Sequence, residues 1–74
     1  MTKEKVIELL KEIGAIETKE IERGYIKYIW GNVNLWLGNA YIEDERQNLA
    51  FPYKEERIKM SDLINFLNKR YKFD

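Results

Sequence analysis

Apolar positions along the chain fall into three regimes. Val6, Leu9, Leu10 and Ile13 stand at helical spacing, residues 25 to 42 largely alternate with a period of two, and helical spacing returns with Leu63, Ile64, Phe66 and Leu67. The first regime predicts an amphipathic helix over residues 3 to 13, of about three turns. Thr2 is placed to cap it, Glu4 lies in its first turn, and Gly14 stops it. Ala15 to Arg23 is charged and only loosely alternating, which fits a short edge strand, with Arg23-Gly24 turning the chain into the next one.

The alternating regime holds Gly-Asn twice, at 31–32 and 38–39. A two-residue hairpin turn at Gly31-Asn32 sets Trp30 against Val33, Tyr28 against Leu35 and Ile26 against Leu37, so one face is wholly apolar or aromatic. The other face carries Tyr25, Lys27, Ile29, Asn34 and Trp36, a mixed set. Straight continuation through residue 39 would flip the parity of Ala40 and Ile42. A two-residue turn at Gly38-Asn39 keeps the core face apolar, and pairs Leu37 with Ala40, Leu35 with Ile42, and Trp36 with Tyr41. A bulge at Gly38 would restore parity as well, so the turn is favoured and the bulge stays open. The expected meander has strands at about 25 to 30, 33 to 37 and 40 to 44.

Glu43 to Asn48 reads as a polar connection. Leu49-Ala-Phe51 before Pro52 reads as a short edge piece, because proline cannot donate to a central ladder. Arg57 to Met60 is a candidate further strand with Ile58 and Met60 inward. Ser61 is a candidate N-cap for the second helix, with Asp62 in its first turn. Lys69, Arg70 and Lys72 suit that helix's negative C-terminal end, and Tyr71 and Phe73 either close the core or serve as a docking tail. Helix, meander, helix predicts a single α+β domain over residues 1 to 74. Its architecture is a two-layer sandwich in which both helices cover the apolar face of an antiparallel sheet of three to five strands.

Composition removes chemistry more than it adds any. The 74 residues contain no cysteine and no histidine, so disulfides, thiolate catalysis, zinc-thiolate sites and the commonest general base are absent together. Thirteen basic residues balance thirteen acidic ones, which leaves no overall field to draw in nucleic acid or an anionic membrane. Hydrophobic residues make up 45% of the chain, enough for a core and too many for a disordered chain. The charged start Met-Thr-Lys-Glu-Lys-Val lacks a signal-peptide core, and no apolar run approaches the ~20 residues of a membrane span. The expected location is therefore cytoplasmic, with no membrane contact.

The carboxylate-rich stretches Glu43-Asp44-Glu45 and Glu55-Glu56 match no EF-hand spacing and lie where turns are expected, so no catalytic residue, metal ligand or cofactor site is assigned. The candidate contact surface is the mixed sheet face. Trp36 and Tyr41 would be anchors, Tyr25 and Lys27 their surround, and Glu43, Asp44 and Glu45 an acidic rim setting orientation. Two structural readings compete: a Trp36–Tyr41 cross-strand pair with Lys27 stacked on the indole, or coverage of this face by the 43–57 connection or the N-terminal segment.

A very short, charge-balanced α+β chain rich in Lys, Glu, Ile and Asn resembles the small accessory proteins encoded by phages and mobile elements. That likeness rests on no motif and transfers no residue, and it implies a protein that binds and blocks another. The leading expectation is thus a non-enzymatic inhibitor or adaptor that docks on a protein partner through the outer sheet face. The alternatives are a binder of single-stranded nucleic acid or nucleotides that stacks bases on the same aromatics, and a homodimer whose function lies elsewhere.

Overall fold

Helix α1 starts and stops where its sequence signals stand. The computed structural model describes residues 1–68 and places α1 at Lys3–Glu12, with the Thr2 hydroxyl accepting from the Lys5 N–H at 3.3 Å. At the other end Gly14 takes φ +86°, and Gly14 and Ala15 donate to the carbonyls of Lys11 and Leu10. That bond pair is a Schellman stop, and its left-handed residue explains the glycine.

Five strands follow as an antiparallel meander in sequential order: β1 Ile16–Glu22, β2 Tyr25–Trp30, β3 Val33–Leu37, β4 Ile42–Asp44 and β5 Leu49–Phe51. Arg23 and Gly24 both have positive φ, as a type I′ hairpin turn requires. At Gly31-Asn32 only the glycine does, which is the type II′ arrangement, and the register is the predicted one: Trp30 opposite Val33, Tyr28 opposite Leu35, Ile26 opposite Leu37. The charged 15–23 segment is the edge strand β1. It bulges between Glu17 and Ile21, where the Thr18 hydroxyl donates to the Lys27 carbonyl and accepts from the Glu20 N–H.

The second Gly-Asn departs from expectation. The turn is a four-residue loop, 38–41, closed by Gly38 N–H donating to the Tyr41 carbonyl at 2.9 Å, and the register slides by two: Leu37 faces Ile42, Trp36 faces Glu43 and Leu35 faces Asp44. A slide of two conserves parity, so the core face stays apolar up to Asp44. The predicted Trp36–Tyr41 pair does not form.

Tyr28, Trp30, Val33, Leu35, Leu37 and Ile42 form the inner face and pack with Val6, Leu9 and Leu10 of α1 in one buried cluster. The second helix, α2 at Met60–Asn68, adds Leu63 and Leu67 to it. The Trp30 indole donates to the Ile13 carbonyl at 3.1 Å and so ties the sheet to the end of α1. The chain is a small α+β domain with a five-stranded sheet.

Residues 57–59 form no strand; the chain passes from β5 to α2 through turns and carries Tyr53 into the core. Ser61 is not the cap. Lys59 holds that position, and the Asp62 carboxylate reaches back to accept from its N–H at 2.8 Å. The expectations for Lys69, Arg70, Tyr71, Lys72 and Phe73 fall outside the described residues.

Candidate functional site

The outer sheet face is built from the residues that alternation turns away from the helices. The register sets Lys27, Trp36, Glu43 and Ala50 side by side across four strands. The Lys27 ammonium lies 5.9 Å from the Trp36 ring centroid, at the limit of a cation–π contact, and pairs with the Glu20 carboxylate at 2.9 Å. On the indole's polar edge, Nε1 donates to Glu45 Oε1 at 3.3 Å, while Glu45 Oε2 accepts from the Asn34 amide at 2.6 Å. Trp36 is therefore fixed in one orientation by charge and hydrogen bonding, and it remains half-buried.

Tyr25 lies one step along the strand from Lys27 on the same face, and its ring rests on Gly38. A Cβ at Gly38 would sit 2.6 Å from the ring. Tyr25 and Trp36 line a solvent-facing cavity of 150 Å³, whose walls include Glu22, Glu43 and Glu45 together with Arg23. Apart from the turn-bound Asp44, three carboxylates face one guanidinium over an aromatic lining, and the groove carries net negative charge although the chain carries none. The glutamates do not converge as a metal site would, since no group of three or more acidic residues among those described is placed to share an ion.

Of the seven residues singled out from sequence, Trp36, Tyr25, Glu43, Asp44 and Glu45 border this groove, and Lys27 sits beside it on the indole. Tyr41 does not join them: it belongs to the loop between β3 and β4, 44% exposed and outside the lining side chains. Asp44 is the clear correction. It is fully buried, its parity turns it away from Glu43 and Glu45, and its carboxylate accepts from the backbone N–H groups of Arg46 and Gln47 and from the Gln47 side chain. It borders the groove from a buried position, where its carboxylate shapes the turn instead of facing solvent.

Sequence reasoning missed Glu22, Arg23 and the pair Glu20–Lys27. A signal for them exists: Arg-Gly as a two-residue turn places Glu22 directly opposite Tyr25, as the observed register does. Of the segments considered as covers, the 43–51 stretch extends the sheet and walls the groove, while Met1 and Tyr53 go to the inner layer. Met1 packs against the core and its ammonium donates to the Tyr53 carbonyl at 2.8 Å, while Tyr53 is buried and donates to the Gly38 carbonyl at 2.6 Å. Ile16 and Ile29, neighbours on the outer face, are 67% and 39% exposed.

No described helix is long and apolar enough to cross a membrane. Comparison of the chain with protein-family models, with curated proteins and with solved structures gave no match.

Proposed function

We propose that the protein is a non-enzymatic binding module, an inhibitor or adaptor of the kind phages and mobile elements encode, that docks on a protein partner through its outer sheet face. One observation carries this reading: Trp36 is oriented by Glu45 and Lys27 at a groove open to solvent, with its polar edge and one ring face already satisfied. A pre-oriented indole contributes contact area at little entropic cost, which is why such residues serve as interface anchors. The glutamates around it argue against the phosphates of a single-stranded nucleic acid.

The test is selection of a random-peptide display library on the full chain, followed by affinity measurement against Trp36→Ala. Ligands of the docking face lose on the order of 2 kcal/mol, about thirtyfold, while the melting temperature changes little. Ligands that bind Trp36→Ala as tightly as the parent contradict the reading. Saturable quenching of tryptophan fluorescence by an oligonucleotide at low salt supports the nucleic-acid alternative, and a doubled solution mass that Trp36→Glu returns to monomer supports a second copy as occupant.

A further inference from the structure

The charge and shape of the groove say more about the occupant than that it is a protein. We infer that the groove beside Trp36 receives an arginine side chain from a basic segment of the partner, with the guanidinium stacked against the Trp36 and Tyr25 rings and paired with Glu22, Glu43 and Glu45. The inference rests on the docking face proposed above and specifies its chemistry.

Four features support it. The cavity of 150 Å³ is of the size that holds a benzene-sized group, and a guanidinium is planar and close to that size. Its aromatic lining attracts cations through the ring quadrupole, and the indole already carries one, the Lys27 ammonium. Besides Asp44, which is engaged in its own turn, the walls present three carboxylates against one guanidinium, and Lys27 does not offset this excess because Glu20 pairs with it. Finally, Glu45 is oriented by bonds from both Asn34 and Trp36, so one carboxylate of the site is positioned before a ligand arrives. Arginine suits this combination better than lysine, because its flat, weakly hydrated fork can stack and pair with carboxylates at once. A neutral apolar side chain would leave the glutamates partly desolvated with no partner, and a phosphate would meet like charge.

The experiment is a nuclear magnetic resonance titration of the ¹⁵N-labelled full chain with Nα-acetyl-arginine N-methylamide, and in parallel with the citrulline counterpart, whose ureido group has the same shape and no charge. Expected is a saturable shift of the Trp36 indole N–H and of the Tyr25 amide with the arginine probe, at a Kd of roughly millimolar as befits one residue, and binding weaker on the order of tenfold with citrulline. In Glu22→Gln/Glu43→Gln that preference disappears while the folded spectrum is retained. Equal response to the two probes at Trp36 overturns the basic occupant and leaves the docking face standing. Arginine shifts that centre elsewhere, or no saturable shift at Trp36, also overturn it. The docking face itself falls only if the display-selected ligands ignore Trp36→Ala.

Discussion

Gly38 is held from both layers: the Tyr25 ring rests where its Cβ would be, and its carbonyl accepts from the buried Tyr53 hydroxyl at 2.6 Å. Sequence presents this residue as a turn glycine, yet its φ is not positive and its smallness is the property used. Gly38→Ala therefore acts on the groove more than on the fold. The methyl pushes aside the far end of a half-exposed ring, which can swing outward, at a cost of about 1 kcal/mol or less in stability. The expected result is a displaced Tyr25 ring in the spectrum and weakened binding of groove ligands. In a Tyr25→Ala background the same substitution should cost little further affinity. Equal losses in both backgrounds would mean that Gly38 acts through the backbone alone.

At the scale of elements, alternation and turn chemistry made the sheet legible. Alternation within each strand puts Tyr28 with Trp30, and Val33 with Leu35 and Leu37, and the turns at the two Gly-Asn pairs join these sets and Ile42 into one face. What alternation does not fix is a slide of two residues. Tyr25 and Tyr53 both contact Gly38 at the start of the 38–41 loop, contacts between residues far apart in the chain that alternation does not carry, and Trp36 pairs with Glu43 instead of the expected Tyr41. One wall of the groove lies at the end of β1, whose charge and bulge obscure its far end, whereas Glu22 and Arg23 were legible through the Arg23-Gly24 turn that sets Glu22 opposite Tyr25. Asp44 was misplaced because a run of three acidic residues reads as a solvated loop, whereas a strand turns its middle member to the opposite side. In the β4–β5 hairpin that carboxylate organises the turn that includes Asn48 at φ +55°. Asp44→Ala leaves buried donors unsatisfied and should destabilise the chain by about 2 to 4 kcal/mol, read by chemical denaturation. A loss below about 0.5 kcal/mol would show the turn to be held by its backbone alone.

For the molecule as a whole, two buried phenols of the inner layer couple stability to pH. Burial, reinforced by the hydrogen bond at 2.6 Å to Glu17 and by that carboxylate's charge, raises the pKa of the Tyr28 phenol far above its ordinary value. Burial likewise raises that of Tyr53, with smaller contributions from Glu4 and Tyr25. Both phenols ionise more readily in the unfolded chain, at about pH 10, so their contribution to stability is fully present below that pH and is lost as pH rises toward their folded values. Denaturation midpoints should thus fall steeply above roughly pH 10, by about 1.4 kcal/mol per pH unit for each phenol, and Tyr28→Phe should flatten that fall. A stability that is level through that range would contradict the burial of these two hydroxyls.

The outer layer has the opposite character, open and negatively charged, and that contrast is the central claim. It is tested most directly by quenching Trp36 fluorescence with caesium and with iodide in a Trp30→Phe variant, which leaves one emitter among the two tryptophans. The groove predicts that both ions reach the indole and that caesium is the more effective relative to a free tryptophan standard, with the difference shrinking as salt screens the glutamates. Protection from both ions, or a preference for iodide, would mean that the face is covered or not acidic, and would contradict the account.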